Sequence, residues 1–401
     1  PYFFVPRNEA VREEYECGWP LPKLMPNNGV GIITARDALT IDFDENALWQ
    51  RITRFCAISA KEARVAYSLG KDAQSWKVSW AQEDVRGTGP AKRFLRAVLY
   101  RPFDKRVTYY TARSSGFICR PVVENMRHML RVKNLGIATC RQIVSEGWRH
   151  VLAADGLTEN CLVSNQSREG GYLFPVYIYP SSEDGTGSLF HDACNERGSE
   201  RSRRPNFAPE FVTTLAKTIG LAFVDDGLGD LRKSFGPEDI FHYVYGVFHS
   251  PCYRKRYAEF LKIEFPRLPL TSSIELFRAL ARLGGELASL HLMESPKLEK
   301  HLTKFQGSSN PEVEKVSWSE DTVWLDKSQS AGFAGVPEPV WNFHIGGYQV
   351  CEKWLKDRKG RRLSAEDIAH YHKIVVALSE TIRLMSEIDA VIESHGGWPI
   401  K

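Results

Sequence analysis

No apolar run in the 401 residues approaches the ~20 residues that a membrane-spanning helix needs. The opening residues show no charged-then-apolar leader pattern. The eight cysteines (17, 56, 119, 140, 161, 194, 252 and 351) form no CxxC pair and share no Cys/His spacing suited to zinc. The expectation is a cytoplasmic chain with reduced thiols and no membrane contact. Other absences bear on chemistry. There is no GxxxxGK(S/T) phosphate loop and no HExxH metalloprotease helix. Gly87-Thr88-Gly89 runs into Pro90 without a preceding apolar strand and reads as a turn. Asp225-Asp226-Gly227-Leu228-Gly229-Asp230 lacks the remaining spacing of a calcium loop and reads as a polar turn. His370 and His372 fall on different sides of their helix. No catalytic residue, metal site or cofactor site is therefore expected in the chain.

What is present is an ordinary globular composition, 43% hydrophobic and 25% charged, in a chain too long for a single core. Two or three subdomains are expected. The net charge of +4 conceals an asymmetry. Residues 86–149 hold fourteen Lys/Arg against three Asp/Glu, so the remainder carries a net charge of −7. A basic segment set in an acidic chain is the footprint of a nucleic-acid binder, or a surface whose charges pair with acids elsewhere in the fold.

The periodicity predicts an α+β fold with short strands and a helical C-terminal part. Pro237 suits a first helical position, and Ile240, Phe241, Val244, Val247 and Phe248 follow at helical spacing. Ser250 caps a second helix opened by Pro251, with Tyr253, Tyr257, Phe260 and Leu261 on one face and Arg254, Lys255 and Arg256 beside it. Asp44, the Ser59/Glu62 pair and the Ser364/Asp367 pair read as helix caps. Helices carrying Phe211, Leu215 and Ile219, and over 274–293 and 348–358, are also expected. Strands are expected over 135–139, 148–153, 172–179, 313–318, 322–325 and 340–345. Trp318, Trp324 and Trp341 are expected to pack the core of a small β-unit. Gly346-Gly347 marks a positive φ or a close backbone approach.

Between the strands of 86–180 lie polar loops carrying Asn134, Arg141, Gln142, Asn165, Gln166 and Arg168. Asn, Gln and Arg match base edges in the major groove, and they are also common turn formers. Lys105, Arg106, Arg113, Arg358 and Arg361 are the candidates for phosphate contact. Asp104 could instead pin a turn with Arg101 or Arg106 while Phe103 fills a core. The residues 86–149 and 353–362 are expected to line one concave groove of duplex width.

Four long segments carry a resemblance: PEDIFHYVYGVFHSPCYRKRYAEFLKIEFPRLPL at 237–270, AVLYRPFDKR at 97–106, GYLFPVYIYP at 171–180 and VWNFHIGGYQVCEKWLKDRKGRRLSAEDI at 340–368. Together they resemble the C-terminal specificity region of the Type ISP single-polypeptide restriction–modification enzymes, over most of the chain. In that family one polypeptide joins a nuclease, a helicase-like motor, an adenine methyltransferase and a target recognition domain that serve phage defence. The resemblance implies that the chain recognises double-stranded DNA and presents a target adenine to an upstream N6-adenine methyltransferase. S-adenosylmethionine, ATP and Mg would then belong to the parent enzyme. The methyltransferase motif Asn-Pro-Pro-aromatic is missing, since the sequence has no Pro-Pro pair. The chain also begins Pro1-Tyr2-Phe3-Phe4-Val5, inside what reads as an apolar strand, so a piece of a longer polypeptide is expected.

On this reading residues 1–85 form a junction to the absent methyltransferase domain. Residues 86–235 form the basic recognition subdomain, with an insertion loop at 181–209 whose Arg201, Arg203 and Arg204 could follow a DNA backbone. Residues 236–401 form a helical and small-β subdomain ending in a long helix. An interaction scaffold that couples methyltransferase and motor domains fits the apolar-striped helices beyond 274 equally well.

Overall fold

The computed structural model describes residues 9–130, 133–180 and 203–400. The expected opening strand, Arg201 and most of the expected insertion loop lie outside the described residues. The fold is α+β, with several small sheets among helices.

Two apolar cores organise the chain. In the first, the helix Glu45–Ala57 buries Leu48, Ile52 and Phe55 completely. Asp44 starts it, its carboxylate accepting from the Ala47 N–H at 2.7 Å. Ser59 and Glu62 close the capping box of the next helix, Ala60–Ala66. These helices and Val78–Thr88 share their core with a hairpin of Leu95–Arg101 and Asp104–Tyr109. In that sheet the order is Ile41–Asp42, Asp104–Tyr109, Leu95–Arg101 and Leu157–Thr158.

A second sheet lies between the cores. Its order is Gly29–Val30, Gly171–Pro175, Gly136–Cys140 and Val151–Ala154, all antiparallel. Ile137 and Leu152 belong to the larger core, while Ala154 and Leu173 belong to the smaller.

The helix Pro237–His249 lies at the centre of the larger core. It is buried on nearly all sides, so Tyr243, Tyr245 and Gly246 join the stripe that the spacing predicts. It crosses the helix Ile274–His291 at two glycines. A Cβ on Gly246 would lie 2.8 Å from the Leu280 carbonyl oxygen, and one on Gly284 only 1.8 Å from that of His242. Ser250 caps the following helix, Pro251–Arg256, as expected. Two residues of the basic edge there are spent internally, while Lys255 is exposed: Arg254 Nε donates to the Phe248 carbonyl at 2.8 Å, and Arg256 pairs with Glu14 at 2.6 Å.

The C-terminal part departs from expectation in three places, the first being that the strand expected over 313–318 is confined to Ser317–Ser319. Residues 340–345 are not one strand. Pro337 and Pro339 favour a helical start, giving a turn of helix over Glu338–Trp341, and only His344–Ile345 is extended. In the small four-stranded sheet, Val323 and Phe333 fill the core and Trp318 and Trp324 are half-buried at its edge. Their indole N–H groups donate to the Val336 carbonyl at 2.9 Å and the Ser319 hydroxyl at 3.0 Å. The last helix, Ala365–Ser394, starts from the predicted Ser364/Asp367 box.

Candidate nucleic-acid interface

The polar loops that follow the strands Gly136–Cys140 and Leu157–Thr158 are joined through one buried carboxylate. Glu169 accepts from the backbone N–H groups of Val144 at 2.6 Å and Ser145 at 2.7 Å. It also accepts from the hydroxyls of Ser145 and Ser164, and from His150 Nε2 at 3.0 Å. Burial alone would raise its pKa. The Ser145 and Ser164 hydroxyls and the two N–H groups more than reverse this and hold it at about 2. His150, also buried, is pushed below the usual histidine value by desolvation, against the pull of Glu169. The neutral ring therefore donates to an ionised carboxylate.

A hairpin from the far end of the chain completes this platform. His344–Ile345 pairs with Tyr348–Gln349 through Gly346 and Gly347. The Gly346 N–H donates to the Arg149 carbonyl at 2.8 Å, and the Gly347 N–H to that of Val163 at 2.9 Å. Gly346 has φ +55°, and a Cβ there would stand 1.8 Å from the Val163 oxygen, so both reasons for glycine hold. Arg141, Asn165, Gln166 and Arg168 stand exposed on the platform and Gln142 is half-buried. Asn134 is not with them. It is 2% exposed, and its amide donates to the carbonyls of His128 and Tyr177 while accepting from the N–H of Leu135. This amide holds backbone together and has no reach to a base.

The predicted phosphate contacts separate into spent and free. Arg358 is buried, its guanidinium 3.4 Å from the Trp354 ring centroid and 3.0 Å from the Asp104 carboxylate. Arg106 binds the other oxygen of Asp104 at 2.8 Å and lies between the rings of Phe43 and Tyr100, at 4.1 and 3.9 Å. Arg101 reaches Glu159 at 2.7 Å, so the pinned turn uses Asp104 with Arg106 and sends Arg101 elsewhere. Burying a guanidinium against a carboxylate and an aromatic face removes it from solution. These arginines are joints of the fold, and Arg106 and Arg358 are corrected accordingly. Lys105 is half-exposed but pairs with Asp155 at 2.7 Å. Arg113 is exposed, 4.0 Å from Glu83, and Arg361 is exposed over the Phe43 ring. Lys92, Arg93 and Arg120, which the sequence does not single out, are exposed and have no carboxylate partner among the described residues. Arg203 pairs with Asp226 at 2.6 Å, and Arg204 is exposed.

The model of the Type ISP C-terminal specificity domain matches residues 23–387. The chain belongs to this family. No curated protein matches it. Similar solved structures include the ATP-dependent Type ISP restriction–modification enzyme LlaBIII bound to DNA, with TM-score 0.63 and 18% identity over 91% of this chain. A nuclease-deletion mutant of the Type ISP enzyme LlaGI with a DNA substrate mimic gives TM-score 0.60 and 17% identity over 94%. The DrdV–DNA complex gives 0.63 and 19% over 91%. This specificity domain spans 23, 29 and 36% of those three chains.

In the specificity domain, residues from the two basic runs do meet. Arg101 and Lys105 from one and Arg358, Arg361 and Arg362 from the other line one cavity of ≈ 570 Å³. Asp155, Glu366 and Asp367 are interleaved with them, so what converges is a small mixed-charge cavity in place of the expected duplex-wide cationic groove. Among the described residues, no group of three or more His, Cys, Asp or Glu is placed to hold a metal ion. Among them no helix is long and apolar enough to cross a membrane.

Proposed function

We propose that this chain is the DNA-reading part of a longer restriction–modification enzyme. It would grip duplex DNA and present a target adenine to a methyltransferase elsewhere in the same polypeptide, which takes the base out of the stack. The observation that carries this reading is the platform of two loops and a hairpin. It holds Arg141, Asn165, Gln166 and Arg168 exposed on backbone tied to a single buried carboxylate. Side chains that read bases need a rigid mount, and these types match adenine and guanine edges. The similar structures solved with DNA support the same reading.

In this division of labour the exposed Lys92, Arg93, Arg113 and Arg120 hold phosphates, and the platform carries the sequence preference. The covalent steps, with S-adenosylmethionine, ATP and Mg, fall to the methyltransferase and motor parts of the cytoplasmic parent, and this chain performs none itself. Duplex titration over a salt series tests it. Phosphate neutralisation requires log K to fall linearly with log salt, and Arg93→Ala or Arg120→Ala should flatten that slope by ~1 each. Arg141→Ala or Gln166→Ala should leave the slope unchanged and cost ~1–3 kcal/mol of discrimination between preferred and random duplexes. Salt-independent binding, or none, would instead favour a scaffold between other domains.

A further inference from the structure

Three successive amides of the first platform loop are fixed. The Ile143 N–H donates to the Lys262 carbonyl at 3.0 Å, and those of Val144 and Ser145 donate to Glu169 at 2.6 and 2.7 Å. Ile143 turns into the larger core, while Val144 stands 58% exposed. Four other large apolar side chains are as open among the described residues: Val65 on the helix Ala60–Ala66, Leu228 in the 225–230 segment, Leu302 ahead of the strand Lys304–Gln306, and Ile263 beside the Lys262 carbonyl. Single exposed apolar residues are ordinary on a protein surface, so exposure alone carries nothing. Val144 differs in its mount and its company. Arg141 and Gln142 lie just before it, and its backbone shares Glu169 with the loop that bears Asn165, Gln166 and Arg168. A side chain branched at Cβ has little χ1 freedom, so on fixed backbone it is a stiff, methyl-bearing knob. It stands among side chains that donate and accept hydrogen bonds.

That combination is complementary to one base edge. In the major groove thymine alone among the four bases presents a methyl group, beside its own O4 acceptor and the N6 and N7 of the paired adenine. We propose that Val144 reads the 5-methyl group of a thymine in the recognised sequence. The inference rests on the DNA-reading function and adds a base identity to it. The Arg, Asn and Gln side chains of the platform match guanine and adenine edges, and Val144 supplies the apolar contact that none of them can make. Burying one methyl group against the Val144 side chain is worth about 4-fold in affinity.

Selection by the chain from two random duplex libraries tests it. One library contains thymine, and the other contains uracil, which has the same hydrogen-bonding edge and no methyl group. The expected result is one position at which thymine is favoured about 4-fold more strongly than uracil. Val144→Ala should erase that difference and leave the preferences at other positions as they were. Once the methyl group is gone the variant should have no further effect there, because the two changes remove the same contact. Val144 is exposed, so the variant should keep the thermal melt of the original chain and its affinity for random duplex. A thymine preference that survives the change to uracil, or one that survives Val144→Ala, overturns the assignment and leaves DNA reading intact. A Val144→Ala loss that is equal for all sequences overturns it too. Enrichment of no sequence from either library removes the assignment together with the DNA-reading function beneath it.

Discussion

Arg358 and Asp104, 254 residues apart in sequence, are bonded Nη2 to Oδ1 at 3.0 Å with both side chains buried. Asp104 takes Arg106 on its other oxygen. Around this carboxylate the guanidinium groups alternate with rings: Trp354, Arg358, Phe43, Arg106, Tyr100 and Arg101. The two basic runs of the sequence are thus stitched to one another through an acid and through π faces. Part of their positive charge supports the fold and is unavailable to a ligand.

Arg358→Ala should therefore act on stability before it acts on binding. Arg106 would still hold one oxygen of Asp104, so the loss is the buried charged hydrogen bond to the other, ~2–3 kcal/mol, with the packing on Trp354 lost besides. Arg361→Ala, at an exposed site, should change stability by less than ~1 kcal/mol. Urea unfolding of the two variants measures the contrast. Equal, small losses would mean that the Asp104 joint is not structural.

Glu169→Gln keeps the shape of the side chain and removes the charge on which Val144, Ser145, Ser164 and His150 converge. An amide offers one acceptor oxygen where the carboxylate offered two, so at least one of these buried donors loses its bond, at ~1–3 kcal/mol each. Hydrogen exchange should quicken at 142–150 and 163–169 and stay unchanged in the helix Pro237–His249. Discrimination between duplexes should fall further than total duplex affinity.

Acid should unfold the domain in two stages. Burial holds His291 at about 3, with Arg254 adding to the effect, against an ordinary value of 6.5. Glu169 sits at about 2 against 4.5. Both folded values are depressed, so in both cases the unfolded chain takes up the proton first. The stability they contribute is complete above the unfolded pKa and is lost as pH falls toward the folded one. His291 contributes a loss that begins below pH ~6.5, and Glu169 one that begins below ~4.5. His242, pushed down to about 4 by burial, adds to the first stage. Thermal melts at pH 7.5, 5.5 and 4.0 should show a stepwise fall in Tm. A Tm that is flat to pH 4 would contradict it.

Gly284→Ala sets helix propensity against packing. In an exposed helix the change would stabilise by ~1 kcal/mol. Here the new methyl would stand 1.8 Å from the His242 carbonyl oxygen, and backbone cannot move aside as a side chain can. The expected result is a loss of ~2 kcal/mol or more, as for other overpacked cores. Gly87→Ala, with open space at its Cβ position, should show the ordinary gain.

Signals that act over a few residues were legible in the sequence. The caps at Asp44, Ser59/Glu62, Ser250 and Ser364/Asp367 lie where the side chains predict, because a cap needs only neighbours three positions away. Gly346-Gly347 announced a close approach, though not the loops at Arg149 and Val163 that it approaches. The α+β class followed from the same local periodicity. What could not be read was which charges are free. Asp155 and Glu159 reach Lys105 and Arg101 across the tertiary fold, and nothing local distinguishes Arg358, which is buried on Asp104 from 254 residues away, from Arg120, which has no carboxylate partner among the described residues. Asn134 failed for the same reason, since its amide bonds to Tyr177, which is 43 residues away. Glu169 carried no signal at all: in sequence it is one acid at the end of a polar loop.

The single carboxylate beneath the two loops also sets the unit of exchange for engineering a new target preference. Transplanting 164–168 alone from a relative would leave the recipient's 141–149 segment resting on a foreign neighbour. A graft should carry both loops, Glu169 and the facing Gly346-Gly347 turn as one cassette, and only then vary the residues at its tip.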